Sequence, residues 1–166
     1  MKSRSKTKLE PDAQIVLDSI RKIVRTLRQT SKFTEKNLGL STAQIFVLQK
    51  LAASKVPLSI NKLAAATLTH QSSVSVVVSK LVYRKLIDRV ESETDSRSVE
   101  LSISKHGQSL LTKSPMSIQE RLMNGLAQLS ETQRTALVKG LQALVQKSGM
   151  ENEEPSMLLE DDTEKK

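Results

Sequence analysis

The sequence predicts a mainly α fold with one small β-hairpin, an α+β chain, from three observations. Apolar residues recur at spacings of three and four over most of the 166 residues. One stretch around residue 100 alternates with a period of two instead. The hydrophobic fraction is 37% and the aromatic fraction 2%, so the core must be built from Leu, Ile, Val and Ala, which suits packed helices better than a sandwich. A chain of this length supports one folding unit rather than two.

Taken in order, Met1 to Lys8 alternate Lys and Arg with Ser and Thr, and residues 1–11 read as a disordered basic arm. From Asp12 onward Val16, Ile20, Ile23, Val24 and Leu27 form one stripe of a helix about four turns long. Ser41 followed by Gln44 makes a capping box for a short helix through Ile45, Leu48 and Leu51, which Pro57 interrupts. Ser59 caps a second short helix with Leu63 and Ala64 to Ala66, and Thr67-Leu68-Thr69 breaks it.

Val74, Val77, Val78, Leu81 and Val82 then give a helix from about Gln71 to Arg84. Its β-branched residues would also suit a strand, but the helical period runs on through Leu81 and Val82. Leu86 to Glu91 and Arg97 to Ser104 pair as a hairpin across the polar turn Ser92 to Ser96, with Val99, Leu101 and Ile103 on the apolar side. Ser104 caps a long final helical region that Pro115 kinks or breaks, and Ser130 with Gln133 forms a second capping box. Leu137, Leu141, Leu144 and Val145 line the last helix, with Gly149 just beyond its end. The organisation expected is a basic arm (1–11), an N-terminal helix (12–37), a central head (38–104), C-terminal helices (105–149) and an acidic disordered tail (150–166).

The net charge is +8, but residues 151–166 hold seven acidic residues against two lysines. The first 150 residues therefore carry +13, which points to a polyanionic partner. The absence of cysteine excludes disulfides and thiol redox sensing. No apolar run is long enough for a membrane span and no apolar segment follows the basic N-terminus as a secretion signal would, so a cytoplasmic protein without membrane contact is expected. Catalysis is not expected: there is no Gly-rich phosphate loop or nucleophile elbow, and His70 and His106 lack an acid–base partner at diagnostic spacing. Two histidines without cysteine also argue against a metal site, with Asp18 and Glu35 the carboxylates that could contribute.

Three short helices followed by a hairpin are the element order of a winged helix-turn-helix. The face of the third helix opposite its apolar stripe presents Gln71, Ser72, Ser75, Val76, Ser79 and Lys80, with no acidic residue from Gln71 to Lys85 to repel phosphate. Gln can pair with adenine, Ser can bond base edges or phosphates, and a Val methyl can touch a thymine methyl. The helix N-terminus near Thr69 and His70 offers amides to a phosphate, and Ser59 opens the preceding helix. The bland alternative is a solvated polar face; its setting between a capped helix and a basic hairpin favours double-stranded DNA. A protein-docking winged helix without sequence-specific DNA binding is the competing class.

The stretch Ser59-Ile-Asn-Lys-Leu-Ala through His70-Gln-Ser-Ser-Val-Ser-Val-Val-Val-Ser-Lys-Leu-Val to Lys85-Leu86-Ile87 resembles the reading head of the MarR (multiple antibiotic resistance regulator) family. Asp95-Ser96-Arg97-Ser98-Val99-Glu100-Leu101-Ser102-Ile103-Ser104 is similar to that family's wing. The resemblance spans roughly residues 16–147 and implies a transcriptional regulator, a repressor in the usual case. It implies that Arg97 enters the minor groove while Asp95 orients the hairpin; read alone, the pair could equally be a polar surface turn. Ser96 departs from the second basic residue frequent at that position.

The resemblance also implies that the terminal helices of two chains interlock. Independently, the stripes Val16, Ile20, Ile23, Leu27 and Leu137, Leu141, Leu144 lie outside the head, which does not need them. A two-fold homodimer would read a pseudo-palindromic site. No cofactor is expected. A small amphipathic effector between the dimerisation helices and the head is implied by the family, although Phe33, Phe46 and Tyr83 are the only aromatic residues to receive one.

Overall fold

The computed structural model describes residues 11–91 and 99–153. Nine elements run in the order α1 (Pro11–Leu38), α2 (Thr42–Ala53), α3 (Ile60–Thr67), α4 (Gln71–Tyr83), β1 (Ile87–Glu91), β2 (Val99–Ile103), α5 (Lys105–Leu111), α6 (Ile118–Gln128) and α7 (Glu131–Lys147). The mainly helical architecture with one antiparallel hairpin is the fold class expected.

α1 keeps close to the bounds 12–37, its 28 residues running well past the roughly four-turn apolar stripe that announced it. Pro11 and Asp12 suit a first turn, and nothing breaks the helix until Gly39, whose φ of +61° turns the chain. Beyond the stripe the inward face is polar: Ser31 and Thr34 are buried, and the Thr34 hydroxyl donates to the Ser31 carbonyl at 3.0 Å. Leu27, counted with the exposed stripe, is only 8% exposed and belongs to the chain's own interior.

α2 is the centre of the head, buried from Thr42 through Leu48 and again at Leu51. Its capping box is present as expected: the Ser41 hydroxyl accepts from the Gln44 amide at 3.3 Å and the Gln44 side chain accepts from the Ser41 amide at 2.9 Å. The helix ends at Ala53, before Pro57, with the Ser54 amide donating to Leu51. The chain then makes a feature the sequence did not announce: Leu58 pairs with Leu101 through two 2.9 Å backbone hydrogen bonds, adding a third edge to the hairpin.

α4 settles the conflict between helix and strand. Val74, Val77, Val78 and Leu81 are almost fully buried against α2 and α3 in the core with Leu48 and Leu63. Burying each is worth about 1.5–3 kcal/mol, against under about 0.7 kcal/mol for a β-branched residue in a helix, so packing decides. The hairpin pairs Ile87 with Ile103 and Glu91 with Val99 at its two ends. Leu101 is buried, whereas Val99 is 51% exposed, so only the base of the expected half-buried strand meets the core.

Ser104 caps α5 as expected, but that helix has only seven residues and ends at Leu111, so the long C-terminal region is broken before Pro115 rather than kinked at it. α6 packs back on the head. Gln49 of α2 spans the break, its amide nitrogen donating to the Pro115 carbonyl and its oxygen accepting from the Ser117 amide, both at 3.4 Å. Lys50 Nζ lies 2.6 Å from Glu120 Oε2. α7 keeps the expected capping box at Ser130 and Gln133, and Gly149 follows it with a φ of +71°. No residue of α7 is buried.

Candidate nucleic-acid interface

The buried stripe of α4 fixes which way its other side points. Gln71, Ser72, Val76 and Ser79 are exposed, with Ser75 and Lys80 half-buried beside them, so the six residues expected on the reading face share one side of one helix. Val76 is 49% exposed in the middle of that polar row. The Ser79 hydroxyl donates back to the Ser75 carbonyl at 2.9 Å, which leaves its oxygen as an acceptor facing outward.

The N-terminus of α4 differs from those of five other helices. Ser41, Ser59, Ser104, Ser117 and Ser130 each place a hydroxyl on an N3 amide, at the starts of α2, α3, α5, α6 and α7. His70 occupies the same position before α4 without a side-chain cap bond. The first-turn amides of α4 are thus left to an external acceptor, at the end of the helix where its dipole favours an anion.

Ser59 and Thr69 have local duties. The Ser59 hydroxyl accepts from the Lys62 amide at 3.3 Å, and the Thr69 hydroxyl donates to the Thr67 carbonyl at 3.0 Å. Between them Leu68 takes a left-handed conformation with φ +52°, which sets the angle between α3 and α4. Thr69 stands in the corner between α3 and α4, and Ser59 at the other end of α3, so neither lies on the α4 face. Asp95 and Arg97 lie outside the described residues.

Two residues at the far end of α4 were missed. Tyr83 is 89% exposed, and Arg84 donates through Nη1 to the Gly39 carbonyl, tying the end of α4 to the turn between α1 and α2. Neither has a periodic signal. The charge pattern extends further than the helix face showed: residues 42–87, which span α2 to α4, contain six Lys and Arg and no Asp or Glu.

Elsewhere, α1 and α7 expose apolar stripes. Val16, Ile20 and Ile23 on α1, and Leu137, Leu141 and Leu144 on α7, are all at least 37% exposed. Asp18 sits among the α1 residues, its carboxyl held below the usual carboxylate range by hydrogen bonds from Gln14 and from Arg21 at 2.7 Å. Phe46 is buried with Lys50 Nζ 5.1 Å from its ring centroid, while Phe33 and Tyr83 are exposed, so the three rings do not converge on one pocket. Among the described residues no three His, Asp or Glu gather as metal ligands, and no helix is long and apolar enough to cross a membrane.

Residues 38–98 match the sequence profile of the MarR family. No curated protein matches the chain. Among solved structures it is similar to AbsC, a MarR family transcriptional regulator from Streptomyces coelicolor, with 22% identity over 85% of this chain and 97% of that one and a TM-score of 0.56. The transcriptional regulator BldR from Sulfolobus solfataricus gives 20% identity over 84% and 99%, with a TM-score of 0.54. The YusO protein from Bacillus subtilis gives 19% over 83% and 99%, with a TM-score of 0.52. These likenesses establish the fold.

Proposed function

We propose that the chain, whose residues 38–98 match the sequence profile of the MarR family, is a homodimeric regulator of transcription that binds double-stranded DNA by sequence. α4 enters the major groove, and Gln71, Ser72, Ser75, Val76, Ser79 and Lys80 face the bases and phosphates there. The open first turn behind His70 receives a backbone phosphate, the corner at Leu68 and Thr69 sets the docking angle, and Ser59 at the start of α3 lies beside the backbone. Arg97 reaches the minor groove from the wing and Asp95 orients it. α1 and α7 of two copies cover one another's apolar stripes, which places two α4 helices on successive turns of one face of a pseudo-palindromic operator. Occupying that operator blocks transcription, and a small amphipathic ligand seated between the terminal helices and the head releases it.

The observation that carries this reading is the outward side of α4, polar and free of acid on a helix whose inward side is fully packed. A titration of a duplex across salt concentrations tests it. Affinity should fall steeply, with a log–log slope of about −0.9 for each phosphate neutralised. A slope near zero would favour the protein-docking winged helix instead.

A further inference from the structure

Tyr83 closes α4 on the side of the outward face. It follows Ser72, Val76 and Ser79 by eleven, seven and four residues, spacings that keep all four on one side of the helix. Of the three aromatic side chains it alone stands almost clear of the protein: Tyr83 is 89% exposed, against 46% for Phe33 and 1% for Phe46. A ring left in water adds nothing to the core, so packing does not account for an aromatic residue there.

The backbone beneath the ring is held firmly. The Lys85 amide donates to the Val82 carbonyl and the Leu86 amide to the Leu81 carbonyl, both at 2.9 Å, and Arg84 donates through Nη1 to the Gly39 carbonyl. The phenol is therefore carried on a fixed stem with only two side-chain torsions to order. The C-terminal end of a helix disfavours an anion, with a dipole worth about half a negative charge. Here Lys80, Arg84 and Lys85 bring three positive charges to that end, with no acidic residue from Gln71 to Ile87. The balance favours a phosphate.

α4 has 13 residues and is about 18 Å long at the helical rise. The major groove is about 12 Å wide, so a helix whose first turns sit on base edges carries its last turn out to the flanking backbone. We propose that Tyr83 is a backbone contact, its phenol donating a hydrogen bond to a phosphate oxygen at the groove edge opposite the phosphate received behind His70. This rests on the reading of α4 as the helix in the major groove, and it adds the residue that fixes how far the helix slides along that groove. Phosphates at both ends of α4 then hold the base-reading residues between them in register.

Titrations of the full chain on the duplex that it selects and on a scrambled duplex test the contact. Tyr83→Phe removes only the hydroxyl from an exposed position, and it should weaken binding about tenfold on both duplexes with the preferred sequence unchanged. Its salt dependence should match that of the wild-type chain, because the phenol is neutral. Tyr83→Lys should recover affinity and steepen the log–log salt slope by about 0.9 per protomer. Replacing single phosphates by methylphosphonates should reveal one position per half-site that weakens the wild-type chain but not Tyr83→Phe. Equal affinities for wild type and Tyr83→Phe, a loss confined to the selected duplex, or no such phosphate position would overturn the proposal. A wild-type chain that binds no duplex would instead refute the reading of α4, and this contact with it.

Discussion

The Ser104 hydroxyl donates to the carbonyl oxygen of Lys85 at 2.8 Å while accepting from the Gly107 amide at 3.0 Å. Lys85 holds a left-handed conformation, φ +56°, at the exit of α4, and Ser104 lies at the exit of the hairpin. One side chain therefore closes the hairpin, caps α5 and fixes the turn that ends α4. Ser104→Ala is expected to lower stability by about 1–2 kcal/mol, since a buried cap and a second hydrogen bond are lost together. Urea denaturation measures this, and an unchanged midpoint would remove Ser104 from that role.

Gly107 is the neighbouring constraint. A Cβ added there would lie 2.3 Å from the Leu86 carbonyl oxygen and 2.9 Å from Ile103 Cγ1, and the first of these is backbone that cannot step aside. Gly107→Ala should cost about 2 kcal/mol or more, because α5 must move off the base of the hairpin. The same denaturation experiment checks it.

Lys50 and Glu120 join the head to α6 with side chains only 16% and 25% exposed. Glu120→Ala should cost about 2–3 kcal/mol by leaving a shielded cation beside Phe46, whereas Lys50→Met combined with Glu120→Leu should recover most of that loss. A double-mutant cycle in urea gives the coupling; simple additivity would show that the pair acts as two solvated charges.

The exposed stripes make oligomeric state a direct readout. The wild-type chain should sediment at twice its 18.4 kDa mass, and Leu137→Glu with Leu141→Glu should give a folded single chain. A wild-type monomer at micromolar concentration would reject the pairing of α1 with α7.

Much of this fold was legible because its signals are local. The boxes at Ser41 and Ser130 and the caps at Ser59 and Ser104 mark helix starts with groups that only a helix would use that way. The stripe from Val74 to Leu81 marked the buried side of α4, and with it the outward face. What stayed hidden depends on partners distant in sequence or on polar groups used as core. The second half of α1 buries Ser31 and Thr34, which no apolar period reports. The Leu58 to Leu101 bridge joins residues more than forty positions apart. The missing cap at His70 is visible only once five serines are seen doing what it does not.

The central claim is that the outward face of α4 reads bases. Selection of bound duplexes from a random pool, run with the wild-type chain and with Gln71→Ala, tests it most directly. The wild-type chain should enrich a two-fold symmetric motif with half-sites about one helical turn apart, and Gln71→Ala should relax one or two positions per half-site by about 1–3 kcal/mol. An identical consensus from both proteins would remove Gln71 from base reading, and no enriched motif from the wild-type chain would contradict sequence-specific recognition by α4.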